Sequence, residues 1–354
     1  MSGTHHKAAV LGSPIAHSLS PVLHRAAYDE LGLAGREYGR FEVDEAALPG
    51  FLAGLDDAEW AGLSLTMPLK RAVIPLLDAI SDTAASVEAV NTVVFTEDGR
   101  RLGDNTDIPG IQEALRERGV TSVESAAILG AGATASSALA ALARICTGEV
   151  TVYVRSQARA DEMRGWGERL GVAVRTAPWD EAAGAFDAPL VIATTPAGTT
   201  DALAAAVPAR PGTLFDVLYE PWPTALAAAW SERGGAVVGG LDLLVHQAVE
   251  QVALADGGGV ARPRTGGDAG GPSGRRPRDH GHGGGRPGPS PARLWPRCPD
   301  EVRARRGDLP RRRPARSVAG LAHRDHGGQH RVAQVGEGHG GRPGRRGGAG
   351  RAGP

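Results

Sequence analysis

Along the first hundred residues, short apolar runs alternate with amphipathic stretches. HKAAVLG (6–12) is an apolar run closed by glycine, the pattern of a buried strand. Ser20-Pro21 opens SPVLHRAAYDELGL, with Ser20 in the cap position and proline in the first turn, which predicts a helix. YGRFEV (38–43) reads as a second strand, ALPGFLAGLD as a helix that tolerates its glycine, and WAGLSLT (60–66) as a third strand. LKRAVIPLLDAI predicts a helix kinked at Pro75, where the ring removes an amide donor. AVNTVVFTEDGRRLGDN (89–105) predicts a hairpin turning at Asp98-Gly99. This alternation points to a mainly parallel sheet covered by helices.

From residue 109 the pattern becomes more regular. IPGIQEALRERG is helical, and the strand SAAILG (125–130) runs into GAGATASSALAALARI, a glycine turn feeding a helix. VTVYV (150–154) follows at the spacing of a βαβ unit. ARADEMRGWGERLG reads as a helix, PLVIATTPAG (189–198) as a strand and loop, GTLFDVLY (212–219) as a strand and TALAAAWSERG as a helix. VVGGLDLLVHQAVEQVAL (237–254) ends in a long amphipathic helix. Residues 120–240 therefore read as a nucleotide-binding sheet, and no internal repeat interrupts them.

Composition divides the 354-residue chain in two. Residues 257–354 hold 21 arginines, no lysine and 7 acids, whereas residues 1–256 hold 18 basic and 33 acidic side chains. The net charge of −1 is a cancellation between unlike halves. The tail also carries 26 of the 51 glycines and 12 of the 25 prolines, which cannot build a packed core and predicts disorder. Two cysteines, Cys146 and Cys298, are too few for a disulfide framework or a Cys-based zinc site, and the six tail histidines show no ligand spacing, so no metal is expected. No apolar run spans a membrane and MSGTHHKAAVLG lacks a signal-peptide core, so a soluble cytoplasmic protein is expected.

Gly130-Ala131-Gly132-Ala133-Thr134-Ala135 is a G-x-G-x-x-A turn between a strand and a helix. Its first glycine makes the turn, its second lets the backbone approach a pyrophosphate, and the helix N-terminus stabilises the phosphates. An NAD site places an acid at the end of the next strand. Here Arg155, Ser156 and Arg159 stand there instead, and an arginine pair suits a 2′-phosphate, so NADP(H) is the expected cofactor. Lys70 is one of two lysines beside 37 arginines. Lysine can release its proton and arginine effectively cannot, which suits a reductase that protonates a forming alkoxide. Lys70 follows the strand LSLT, at the carboxyl end where open α/β sheets bind ligands, and Asp107 in GDNTD is its natural carboxylate partner.

These segments resemble those of the shikimate dehydrogenase family from about residue 7 to 254. LGSPIAHSLSPVLHRAAY resembles the family's opening segment, and the resemblance implies that Ser18 and Ser20 bind the substrate carboxylate. SLTMPLK implies Thr66 as a substrate contact and Lys70 as the catalytic acid or base. AVNTV and GDNTD imply Asn91 and Asn105 as substrate contacts and Asp107 as the catalytic partner. VRSQAR resembles the segment holding the 2′-phosphate. ATTPAG, with Thr195, resembles a cofactor-side segment; DVLYEPWPT places Tyr219 near the substrate. GLDLLVHQA implies Gln247 as a substrate contact, with Gly240 on the cofactor side. Taken singly, Ser20 also fits an N-cap, and Asn91 and Asn105 fit Asx-turns.

The resemblance implies an α/β fold with a substrate-binding domain over 1–107, a Rossmann-like NADP-binding domain over 108–238, and a helix over 239–256 returning to the first domain. The implied reaction is reversible reduction of 3-dehydroshikimate to shikimate with NADPH in the shikimate pathway of chorismate and aromatic amino-acid biosynthesis. A relaxed quinate/shikimate dehydrogenase is one alternative, and an inactive homologue whose basic tail binds nucleic acid is another. The expected partner is the small-molecule substrate, without membrane or nucleic acid, and a homodimer is kept as the candidate assembly. Departures from the family pattern are Ser64 for asparagine, Ala133 for glycine, Val154 for asparagine, and Asp242 and Leu243 for glycine and methionine. A carboxylate at 242 would weaken cofactor binding if it pointed inward. After Asp256 the family carries a final helix; this chain continues GGGVARPRTGGDAGG. That shift reads as frameshifted or mistranslated codons in preference to a nucleic-acid-binding arm or a fused domain.

Overall fold

The computed structural model describes residues 7–257. The tail expected to be disordered, with Cys298 and its histidines, lies outside the described residues.

The first sheet contains β1 (Lys7–Gly12), β2 (Glu37–Glu42), β3 (Trp60–Leu65), β4 (Ala79–Ile80), β5 (Thr92–Phe95) and β6 (Arg101–Asp104), in the order β2-β1-β3-β5-β6-β4. β1 pairs in parallel with β2 and β3, while β5 runs antiparallel to both β3 and β6. The antiparallel pair is the expected hairpin, with Gly99 taking the left-handed conformation at φ +77°. Around this sheet lie α1 (Ser20–Leu31), α2 (Leu48–Ala53), α3 (Leu69–Ala72) and α4 (Asp82–Val87). Every residue of WAGLSL in β3 is buried, as a strand covered on both faces requires.

The second sheet is parallel throughout. Its strands are β7 (Ala126–Leu129), β8 (Val150–Val154), β9 (Val174–Pro178), β10 (Leu190–Ala193), β11 (Thr213–Asp216) and β12 (Ala236–Gly239), ordered β12-β11-β10-β7-β8-β9. Helices α6 (Ala133–Leu142), α7 (Gln157–Leu170) and α8 (Ala225–Glu232) connect them. Chain direction across the sheet reverses between β7 and β10, and such a switch point opens a crevice at the strands' carboxyl ends. Between the sheets the chain passes through α5 (Asp107–Glu117) and returns through α9 (Gly240–Gly257), which packs against α1, α5, β3 and β5.

Several expectations are corrected. Ser20 is the first helical residue of α1, not its cap; the Ser18 hydroxyl, two residues earlier, accepts the Ser20 amide proton at 3.3 Å. LKRAVIPLLDAI does not form one kinked helix: α3 ends at Ala72, Pro75 sits in a 3₁₀ turn over Ile74–Leu76, and Ala79–Ile80 joins the sheet as β4. Proline cannot supply the helical donor, and the chain uses it to leave the helix. β11 stops at Asp216 rather than reaching Tyr219, because the Asp216 carboxylate accepts the Leu218 amide proton at 3.1 Å and turns the chain. α4, capped by Ser81, and the half-exposed edge strand β9 carry too little periodicity to be legible.

Candidate active site

Lys70 sits in α3, just beyond the end of the buried strand β3, and its backbone carbonyl accepts the Val90 amide proton at 2.8 Å. Its Nζ lies 2.5 Å from Oδ2 of Asp107, the first residue of α5. The lysine side chain is 12% exposed and the aspartate 2%. A carboxylate in the first turn of a helix is stabilised by the amides exposed there. The same Nζ reaches Oγ1 of Thr134, in the first turn of α6, at 3.4 Å. The pair therefore stands where the first sheet's strand ends meet the glycine turn of the second.

Two asparagines hold this pair. Asn91 donates from Nδ2 to Asp107 Oδ1 at 2.9 Å and to Gln247 Oε1 at 3.0 Å, while its Oδ1 accepts the Thr106 amide proton at 2.8 Å. Asn105 accepts the amide protons of Asp107 and Ile108 at 3.1 and 3.3 Å, opening α5 as an Asx-turn. Its Nδ2 donates to the Ala89 carbonyl at 2.9 Å and to Ser137 Oγ at 3.0 Å, tying the two sheets' helices together. Lys70, Asp107, Asn91 and Gln247 thus form one hydrogen-bonded chain, with Asn105 fixing the backbone beneath it. Ser18 and Ser20 follow the carboxyl end of β1, and Thr66 that of β3, without joining the chain. Tyr219 packs with Leu19 and Val22 against Leu241, Leu244 and Val245 of α9. Asp216 anchors its loop by accepting from Thr224 Oγ1 at 2.7 Å; burial pushes the Asp216 carboxyl up from its ordinary range.

The glycine turn behaves as its sequence implies. Gly130 has φ +107°, and a Cβ there would lie 2.8 Å from Thr194 Oγ1 and 3.1 Å from Thr195 Cγ2. Gly130 and Thr195 thus face each other across the switch point between β7 and β10. A Cβ on Gly132 would meet nothing within 4 Å, so the turn opens onto free space at the amino end of α6, the room a pyrophosphate needs. Ala131, Ala133 and Ala135 line the same turn, with Ala135 buried in the core.

At the end of β8, Arg155 is exposed with its guanidinium 5.5 Å from the Trp179 ring centroid. Ser156 caps α7, accepting from the Arg159 amide at 3.4 Å. Arg159 pairs with Glu162 at 2.6 Å, and Glu162 also meets Arg71 of the first lobe at 3.3 Å. Gly240 is buried where α9 begins; a Cβ would fall 2.0 Å from the Val217 carbonyl, so glycine is needed for packing there. Asp242 does not point a free charge at the crevice: its carboxylate pairs with Arg118 at 3.0 Å and accepts the Gly239 amide proton at 3.3 Å. Sequence reasoning missed Thr106, Ser137 and Glu162, and it did not foresee that Thr134 of the glycine turn meets Lys70; the partners of these four residues lie 3 to 145 residues away in the chain.

Residues 10–93 match the family model described as the shikimate dehydrogenase substrate binding domain. The shikimate dehydrogenase (NADP(+)) of Oleidesulfovibrio alaskensis is 38% identical over 250 residues, covering 68% of this chain and 86% of that protein. Among solved structures, Mycobacterium tuberculosis shikimate dehydrogenase superposes with a TM-score of 0.66 at 40% identity, over 71% of this chain and 94% of that one. Shikimate 5-dehydrogenase of Thermus thermophilus, in complex with NADP(H) and shikimate, gives a TM-score of 0.62 at 34% identity, again over 71% and 94%.

Proposed function

This chain belongs to the shikimate dehydrogenase family, and on that premise we propose that it interconverts 3-dehydroshikimate and shikimate with NADP(H), Lys70 and Asp107 handling the proton. The observation that carries the reading is the 2.5 Å Lys70–Asp107 pair meeting Thr134 of the glycine turn at 3.4 Å. Proton-handling groups and cofactor turn then serve one crevice.

The residues fit the cofactor. The open space before Gly132 and the amino end of α6 suit a pyrophosphate, held by residues 130–135. Arg155, Ser156 and Arg159 would hold the 2′-phosphate through charge-assisted hydrogen bonds. Thr195 and Gly240 belong to the cofactor side of the crevice. NADP(H), when bound, supplies or accepts the hydride.

An ammonium group has three protons. Asp107 and Thr134 take two directions around Lys70 Nζ, leaving the third for the substrate oxygen. In reduction Lys70 gives that oxygen its proton, and the Asp107 carboxylate compensates the ammonium throughout. Ser18, Ser20, Thr66, Tyr219 and Gln247 form the cradle for a small polyhydroxylated acid, with Asn91 and Asn105 as its supports. In this reading residues 1–107 are the substrate domain, 108–238 the cofactor domain and 239–256 the returning helix. A cytoplasmic homodimer is part of the same proposal, and among the described residues no helix is long and apolar enough to cross a membrane.

Lys70→Arg tests the assignment. It keeps the positive charge and the reach to Asp107 but holds its proton at any working pH. NADP binding should persist while turnover of shikimate is lost; retained turnover would overturn the role of Lys70.

A further inference from the structure

We propose that Gln251 is a positioning residue for the Lys70–Asp107 pair: it sets the direction of two threonine hydroxyls that hold the Asn91 amide against Asp107. The inference rests on the reading of Lys70 and Asp107 as the proton-handling pair.

The orientation of Asn91 is fixed by groups of unambiguous character. The Thr106 backbone N–H, 2.8 Å from Oδ1, can only donate, and the Asp107 carboxylate, 2.9 Å from Nδ2, can only accept. The hydroxyls of Thr92 and Thr106 lie 2.9 and 3.1 Å from the same Oδ1 and donate to it. Each hydroxyl has one proton. With that proton given to Asn91, each turns a lone pair away from it, and Gln251 Nε2 stands 3.3 Å from both oxygens. The other end of the Gln251 amide accepts the Ser64 hydroxyl at 2.9 Å, and Ser64 accepts the Tyr38 hydroxyl at 2.6 Å.

Every proton in this chain therefore points one way, from Tyr38 through Ser64, Gln251 and the two threonines to Asn91 and Asp107. All these side chains are buried, so they exchange hydrogen bonds with one another rather than with bulk solvent. The two threonine oxygens are themselves only 3.0 Å apart. Without the Gln251 donors, one hydroxyl can turn to the other and Asn91 loses a donor. Gln251 excludes that arrangement. It lies one helical turn beyond Gln247 on α9, so a single helix supplies both the group that Asn91 touches and the group that orients it.

The test uses the full chain. Gln251→Glu keeps the side chain's size, but a carboxyl group carries at most one proton where the amide nitrogen carries two, so at least one threonine hydroxyl loses its donor and turns away from Asn91. We expect kcat with shikimate and NADP to fall about tenfold, the worth of one buried hydrogen bond, with the NADP KM within about twofold of the unsubstituted protein. Shikimate affinity, measured by calorimetry without cofactor, should change by no more than about threefold, because Gln251 acts through Asn91. Gln251→Leu, which removes the donors without adding an acceptor, should lose less, about threefold in kcat. If Gln251→Glu does not fold, the Thr92 pair decides: Thr92→Ser should retain turnover and Thr92→Val should lose about threefold. Turnover of folded Gln251→Glu within about twofold of the parent, or of Thr92→Val equal to Thr92→Ser, would overturn the proposal. So would losses in kcat that merely follow the melting temperature across the series. Absence of shikimate turnover in the unsubstituted chain would instead refute the functional reading, and this inference would fall with it.

Discussion

Lys70→Met and Asp107→Leu, alone and together, measure how strongly the central pair is coupled. With Lys70 replaced, the Asp107 carboxylate stays 2% exposed with Asn91 at 2.9 Å and the first turn of α5 as its remaining support. With Asp107 replaced, the Lys70 ammonium keeps Thr134 at 3.4 Å and is 12% exposed. Removing one partner of a buried ion pair leaves an uncompensated charge, which costs about 3 kcal/mol. Asp107→Leu should cost somewhat less than Lys70→Met, because a lysine stem can swing its charge towards water and a helix-bound carboxylate cannot. The double variant carries neither charge and nearly the same number of side-chain heavy atoms, so it should cost about as much as Lys70→Met alone rather than the sum of the two single losses. The expected coupling is about 2 kcal/mol, read from urea midpoints of the four full-length proteins at constant slope. All three variants should lack turnover. Additive single losses, with coupling below about 0.5 kcal/mol, would show that the two side chains do not meet as the structure has them.

Gly132→Val should leave stability within about 1 kcal/mol, since a Cβ there meets no protein atom within 4 Å, but should raise the NADP KM at least tenfold, measured by initial rates. Arg159→Ala should lower the preference for NADP over NAD by about tenfold, through loss of one charge-assisted bond to the 2′-phosphate, while Glu162→Gln, which frees that guanidinium, should raise it; equal preference in all three proteins would refute the phosphate assignment. His24 is buried, with its ring stacked on Tyr38, and burial lowers its pKa from 6.5 to about 4. Because the folded pKa is the lower one, the stability from keeping His24 neutral is fully present above pH 6.5 and is lost as pH falls towards 4, about 3 kcal/mol in all. His24→Phe should flatten that part of the stability–pH curve, and an unchanged curve would show that His24 does not drive it.

What was legible in the sequence is what local chemistry determines. The glycine turn reads directly, because φ +107° at Gly130 and open space at Gly132 are demands on single residues. Strands β7, β8 and β10 of the second sheet read as apolar runs because both faces are buried. Asn105 illustrates a residue with two readings: the resemblance implied a substrate contact, and the structure spends its amide on the start of α5 and on Ser137. What stayed hidden is tertiary. Thr134 meets Lys70 only because α3 and α6 converge, and Gln251 meets Ser64 across 187 positions of chain. Asp242 read as a threat to the cofactor because its neutralising partner, Arg118, lies 124 residues away. Proline misled at one point, since Pro75 ends the helical run outright rather than bending it.

In the proposed function one crevice joins an NADP turn to a proton-handling lysine. The most direct test is the initial rate of NADPH or NADH formation by the full chain at alkaline pH, with shikimate or quinate paired with NADP or NAD. Rapid turnover is expected with shikimate and NADP and little with the other three pairs. Turnover of quinate with NAD matching that of shikimate with NADP, or no turnover by protein that still binds NADP, would contradict that function.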